Sequence, residues 1–255
     1  MSSLDPSTDR PLFILGCVRS GTTLVRDLLR RQSHVISPEE THYFRQGEPL
    51  HTRASDNYLE KNSTLKKHRE IDGVSPEDFA RLHGQSRTRA DLLRRHVHFM
   101  AQARGLTDYR WFDKTPQNVY GLPLIAAQFP NAKFLHIVRN PLNVVASLKL
   151  GRMIKVDDIV GACNYWIEAV MIVSQMAPLL NDRLMEMRYE DLTEDPVSHM
   201  GRLLSFSGMG NRPDLYSDDD AHAERNQYRD VLTSDEQDIV RKTCRTLAAG
   251  YSYHL

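Results

Sequence analysis

Neither sign of charge prevails in this sequence: 33 Lys and Arg stand against 33 Asp and Glu over 255 residues. That balance argues against wholesale nucleic-acid binding, while leaving room for a local basic pocket that takes a small anion. Cysteine is scarce. Cys17, Cys163 and Cys244 are odd in number and far apart, and no CxxC or Cys/His ligand spacing occurs. Spacing therefore supports neither a disulfide framework nor a zinc site, and the thiols are expected to be reduced and at least partly buried. Long apolar runs are missing as well. The most apolar helical stretch, Ala169 to Leu180, is interrupted by Ser174, Gln175 and Pro178, and it is shorter than the ~20 apolar residues a bilayer span needs. The N-terminus, MSSLDPSTDRP, lacks the apolar segment of a secretory signal. The expectation is a soluble, cytoplasmic protein with no membrane and no nucleic-acid partner.

What is present is ordinary in bulk, 40% hydrophobic and 26% charged, and long enough to bury a core as one α/β domain over 1–255. Leu12 to Leu15 is a short apolar run closed by Gly16, which reads as a buried strand. From Thr22 the period changes: Leu24, Leu28 and Leu29 recur at helical spacing between charged residues. Further strands are expected at Arg110 to Asp113, Lys133 to Val138 and Arg183 to Met187, with helices across 117–129, 142–150 and 158–176. Strands alternating with helices predict a three-layer α/β fold, P-loop-like, with a mostly parallel central sheet flanked by helices. Right-handed crossovers then gather the loops after the strands at one edge, where ligands bind. Residues 47–76 are polar with little periodicity, and are read as a flexible insertion on the acceptor side.

The turn Gly16-Cys17-Val18-Arg19-Ser20-Gly21-Thr22-Thr23 carries the most information. It has the spacing of a phosphate-binding loop, with glycines for the tight turn and amides at a helix start aimed at an anion. Thr22 stands where an NTP-hydrolysing loop holds the lysine that reaches the β- and γ-phosphates. Arg19 lies inside the loop instead, where a guanidinium can grip a phosphate or sulfonate. The sequence thus keeps an oxyanion cradle without the marks of Mg-NTP chemistry.

In these residues the chain resembles the superfamily of sulfotransferases that use 3′-phosphoadenosine 5′-phosphosulfate (PAPS), and most closely the tyrosylprotein sulfotransferases and their bacterial relatives. Arg19-Ser20-Gly21-Thr22-Thr23-Leu24 is similar to the 5′-phosphosulfate loop, with Val18 in place of the family's usual proline. Pro38-Glu39-Glu40-Thr41 resembles the Glu-Glu-Thr block of the tyrosylprotein enzymes. Val138-Arg139-Asn140-Pro141, with Ser147 eight residues after the arginine, resembles the 3′-phosphate site, and Arg188-Tyr189-Glu190-Asp191-Leu192 the block beside the nucleotide. Eight residues span ~12 Å along a helix, so Arg139 and Ser147 reach one phosphate only if the turn folds Arg139 back.

The resemblance implies transfer of a sulfuryl group from PAPS, leaving PAP, to an acceptor hydroxyl on a peptide tyrosine or on a small-molecule alcohol, phenol or glycan. Its leading acceptor is the peptide tyrosine, with the small-molecule hydroxyls as the alternative. It implies Glu40 as base, with Arg19 and Lys114 as catalytic cations, and donor contacts from Arg19, Ser20, Gly21, Thr22, Thr23, Arg139, Ser147 and Tyr189. No metal is expected, and a homodimer is carried over from related enzymes. Glu39 and His42 are competing bases. A carboxylate beside a second carboxylate is expected to have a raised pKa. Rival readings are a kinase or NTPase with a degenerate P-loop and a non-catalytic nucleotide-binding module. The tail from Asn226 to Leu255 matches nothing assigned.

Overall fold

The apolar run near the start of the chain is a strand covered on both faces. In β1 (Leu12–Gly16) every residue is buried; Leu12 and Ile14 enter one apolar cluster, Phe13 and Leu15 the other. That split is what period-two side chains do in a sheet with helices on both sides. The computed structural model describes residues 9–151, 154, 156, 158–210 and 212–255, and the polar start of the chain at 1–8 lies outside them. After β1 come α1 (Thr22–Leu29), β2 (Val35–Ile36), α2 (Arg53–Lys61), α3 (Ser63–Ile71), α4 (Pro76–Gln85), α5 (Arg89–Ala103) and β3 (Arg110–Lys114). A 3-10 turn at Pro116–Gly121 leads into α6 (Leu122–Gln128), β4 (Lys133–Val138), α7 (Pro141–Lys149), α8 (Ile159–Leu180) and β5 (Leu184–Arg188). The chain closes with α9 (Tyr189–Glu194), α10 (Pro196–Ser207), α11 (Tyr228–Val231) and α12 (Ser234–Ala249).

The sheet runs β2-β3-β1-β4-β5, and every pair is parallel. Ile14 stands beside Lys114 on one side, and Gly16 beside Ile137 on the other. The carboxyl ends of β3, β1 and β4 therefore form one edge, with β5 alongside through its Val138–Arg188 pairing. On one face Leu92, Ile125, Val145, Trp166 and Val240 cover Phe13, Leu15 and Phe134. Phe13 sits at the centre of an aromatic group, 5.1 Å from Phe129, 5.8 Å from Phe134 and 6.1 Å from Trp111 between ring centres. On the other face Val25, Leu28, Leu203 and Leu204 pack on Leu12, Ile14, Phe112 and Leu135. The three layers match the sequence expectation.

Three segments show more than the sequence suggested. The segment at 47–76, read from its polarity as a flexible insertion on the acceptor side, holds α2 and α3, with Thr52 and Asn62 as side-chain caps. Each is nine residues long and buries only two side chains, Ser55 and Leu59 in one, Leu65 and Arg69 in the other. That is too few apolar positions to register as a period. The second is α8, which is 22 residues long, runs past Pro178 and by length and composition is able to cross a membrane. Its Ala162, Trp166, Ala169 and Val173 instead pack into the core. The third is the tail, where α12 buries Val240, Cys244 and Ala248, and Tyr253 follows them into the core. All three cysteines are free and buried.

Candidate active site

The loop between β1 and α1 is shaped by two close approaches. Gly16 has φ +151°, and a Cβ there would stand 2.6 Å from the Ile137 carbonyl oxygen. Gly21 has φ +93° and packs beneath Tyr189, whose Cδ2 would lie 2.1 Å from an added Cβ. Only glycine meets both demands at Gly21, the left-handed backbone and the ring above it. Arg19 also takes a positive φ, 70°, which turns its side chain within the loop. Side chains cap α2 to α5, whereas α1 starts at Gly21 with no side-chain cap. The Leu24 amide donates to the Gly21 carbonyl at 3.0 Å, while the Thr22 and Thr23 amides at the helix start have no side-chain cap and suit an anion. Within the loop the Ser20 hydroxyl is buried without a hydrogen-bond partner. Thr22 is buried and Thr23 exposed.

Arg139, Arg19 and Ser147 are joined in series. Arg139 donates through Nη1 to the Arg19 carbonyl at 3.0 Å, and Arg19 donates through Nε to the Ser147 hydroxyl at 2.9 Å. The Arg19 side chain bridges the gap along α7 that spacing alone left open. The Arg139 guanidinium lies 4.6 Å from the Tyr189 ring centre, a cation–π arrangement. Its backbone is fixed too, since Trp166 donates its indole N–H to the Arg139 carbonyl at 2.9 Å. Glu224 takes up the guanidinium charge, at 2.6 Å from Nε and 2.5 Å from Nη2. Glu190 accepts from the Asn140 amide at 2.9 Å and from the Tyr253 hydroxyl at 2.6 Å. The last residues of the chain thus brace the start of α7.

A second group lies at the end of β3. Lys114 is buried and forms an ion pair with Glu40, so it is no solvated surface lysine. His42 places Nε2 3.5 Å from the other Glu40 oxygen. Below them Asp113, fully buried, accepts from the Thr41 hydroxyl at 2.7 Å and from the Asn118 amide at 2.9 Å. The Thr41 amide donates to the Thr115 hydroxyl at 3.0 Å. Burial pushes the Asp113 carboxyl up, against the pull of those hydrogen bonds. This network ties the Glu-Glu-Thr block to the strand that carries Lys114.

The two carboxylates of that block do not act on each other as expected. Glu39 turns to α1, where Arg26 and Arg30 hold it at 3.1 and 2.8 Å. Burial works to raise the Glu40 carboxyl, but the His42 hydrogen bond and the Lys114 charge outweigh it and bring the pKa down to about 2. The expected upward shift is thus reversed, because the partners of Glu40 are His42 and Lys114 and not Glu39. Strand register relates the two groups, since Lys114, Gly16 and Arg139 all stand at the carboxyl edge of adjacent strands. Beside the 3-10 turn after Lys114, a cavity of about 290 Å³ is lined by Arg45, Gln117, Tyr120, Asn164, Tyr165 and Glu168.

A parallel sheet with an uncapped phosphate loop admits kinases as well as other group-transfer enzymes, and the deciding observation comes from comparison. The model of the sulfotransferase family matches residues 11–213. The chain belongs to that family. The sulfotransferase domain of the Synechococcus PCC 7002 olefin synthase shares the fold, with a TM-score of 0.69 and 22% identity, 98% of each chain being covered. A mouse sulfotransferase complexed with PAP does so more loosely, at a TM-score of 0.51 and 12% identity over 93% of this chain and 85% of that one. The omega-hydroxy-beta-dihydromenaquinone-9 sulfotransferase of Mycobacterium tuberculosis is 28% identical over 160 residues, 55% of this chain and 40% of that protein. The chain spans between 25% and 40% of the length of the curated relatives it matches.

Within this site, sequence reading missed Glu224, Trp166 and Tyr253. Each is a lone residue without a motif, brought to Arg139 or to its turn by tertiary packing. Glu190 belongs to a recognised block and Asp113 to an expected strand, and their hydrogen-bond roles emerge from the structure.

Proposed function

We propose that this sulfotransferase uses PAPS as donor and releases PAP, and that it sulfates an acceptor hydroxyl with Glu40 as base. The observation that carries this reading is the series Arg139–Arg19–Ser147 alongside the Gly21–Tyr189 contact. It sets two guanidiniums and a hydroxyl beside the uncapped start of α1 and the orphaned Ser20 hydroxyl. Such a set suits the two anionic ends of PAPS: Ser20, Gly21, Thr22 and Thr23 for the 5′-phosphosulfate, and Arg139, Ser147 and Tyr189 for the 3′-phosphate end.

In this reading the acceptor oxygen attacks sulfur and its proton passes to Glu40. The bond from sulfur to the bridging oxygen breaks, and PAP leaves with the electron pair. Arg19 stabilises charge on the transferring group, and Lys114 charge on the departing oxygen. With its carboxyl held near 2, Glu40 is a weak base in the free protein. Lys114 turning toward the departing oxygen removes one of the two partners that hold Glu40 down, the His42 hydrogen bond being the other, so basicity rises when donor is bound. These cations supply positive charge from the chain itself.

For the acceptor we favour a small-molecule alcohol. The mycobacterial relative is named for a hydroxylated menaquinone, and the 290 Å³ cavity beside the Lys114 turn suits part of a small ligand. A tyrosine peptide is the second reading, supported by the Glu39-Glu40-Thr41 block. A cytoplasmic location goes with either.

The test is calorimetric titration with PAP and, separately, with ATP plus Mg²⁺. Micromolar PAP binding without Mg²⁺, lost in Arg139→Ala and retained in Glu40→Gln, is expected, while Glu40→Gln lowers sulfuryl transfer by about 10²–10⁴-fold. Tight Mg-ATP binding with no response to PAP would return the chain to the kinase reading.

A further inference from the structure

Away from the sheet edge, the fold brings together three side chains that lie far apart in sequence. His51 precedes α2, Asp56 lies in its first turn, and His83 is in the last turn of α4. One ring nitrogen of each histidine and one Asp56 oxygen all lie within 4.8 Å of one another. The two rings are 4.7 Å apart between centres, inclined at 47°.

The surroundings leave this group incomplete. His83 is buried and stacks on Phe79 at 5.8 Å, with its Nε2 lacking any hydrogen-bond partner. Facing it at 3.3 Å is Asp56 Oδ1, also buried and also without a hydrogen bond. The two atoms meet as an ion pair with no hydrogen bond formed, an arrangement that a further group engaging both would complete. His51 Nε2 lies 2.7 Å from the Ser86 carbonyl oxygen. Such a bond makes Nε2 the donor and Nδ1 the lone-pair nitrogen, the second-shell arrangement seen around metal-bound histidines. His51 also sits at φ +65°.

We propose that His51, Asp56 and His83 form a binding site for one divalent transition-metal ion of the zinc class. Two imidazoles and a carboxylate are zinc ligands, with water taking the fourth position on the exposed His51 side. The nitrogen content sets the site against Mg²⁺ and Ca²⁺, which prefer all-oxygen shells. The bound ion clips the start of α2 to the end of α4, and so fixes the polar segment that sequence reading took for a flexible insertion. It has no part in sulfuryl transfer. Spacing did not reveal it because the ligands are 5 and 27 residues apart and converge only when α2 folds against α4.

The experiment is calorimetric titration of chelator-treated protein with ZnCl₂, together with thermal unfolding with and without the ion. One Zn²⁺ per chain and a raised midpoint are expected, neither reproduced by Mg²⁺ or Ca²⁺. His51→Ala, at an exposed position that leaves the fold intact, should weaken binding by about tenfold or more and cancel the rise in midpoint, and Asp56→Asn should do likewise. No zinc uptake, or the same stoichiometry and affinity in both variants, would overturn the site, the latter by assigning the ion to other surface histidines.

Discussion

At the scale of residues, Glu40 and Arg139 are each paired with a counter-charge that the proposed reaction has to displace. The Glu40 pKa, down to about 2 from an ordinary 4.5, has a consequence for stability. A carboxyl lowered on folding contributes stability that is present above its unfolded pKa and is lost as pH falls through the folded one. Urea denaturation at a series of pH values should therefore show stability declining between about 4.5 and 2, and Glu40→Gln should flatten that part of the decline. At Arg139 the competitor is Glu224, within 2.6 Å. Removing its charge in Glu224→Gln frees the guanidinium for the 3′-phosphate. PAP is then expected to bind about tenfold more tightly in calorimetry, from the ~1.5 kcal/mol of a hydrogen bond to a charged group. The Glu40 blocks were legible as motifs, but the direction of the pKa shift was not. Sequence placed Glu39 next to Glu40, whereas the fold turns one toward Arg26 and Arg30 and the other toward Lys114.

At the scale of elements, the loop between β1 and α1 was legible because glycine spacing and the change of period are local. Its ring contact was not. Gly21→Ala forces both a left-handed alanine and a clash with Tyr189. The left-handed cost alone is ~1–2 kcal/mol, so PAP affinity is expected to fall by about tenfold or more. Adding Tyr189→Ala relieves the clash but not the backbone cost, and should restore stability measured by thermal unfolding more than it restores PAP affinity. β3 shows the opposite balance. Arg110 to Asp113 was a weak strand by alternation, yet it is secured between β2 and β1, and its last residue is Lys114. The helices α2 and α3 escaped notice because short helices with one buried leucine each leave no period to read.

At the scale of the whole molecule, the tail completes the site from the far end of the chain. The Tyr253 hydroxyl donates to Glu190 at 2.6 Å and lies 3.2 Å from the Val138 carbonyl oxygen. Glu190 in turn holds the Asn140 amide, beside Arg139. Tyr253→Phe leaves a half-buried carboxylate short of a donor, and should cost about 1–2 kcal/mol, which for a chain of this length is a fall of roughly 2–8 °C in the unfolding midpoint. The same variant should weaken PAP binding, because the turn carrying Arg139 loses its brace. The sequence by itself determined the strand–turn–helix cradle, the alternating α/β order, the parallel sheet and the blocks holding Arg19, Glu40, Lys114, Arg139, Ser147 and Tyr189. These depend on local period, turn chemistry and motif spacing, which the linear chain carries. Only the tertiary structure decided that Arg19 bridges Arg139 to Ser147, that Lys114 lowers Glu40, and that Glu224 and Tyr253 close on Arg139 and its turn. Those outcomes are distances between residues far apart along the chain, and they exist only once the helices pack against the sheet.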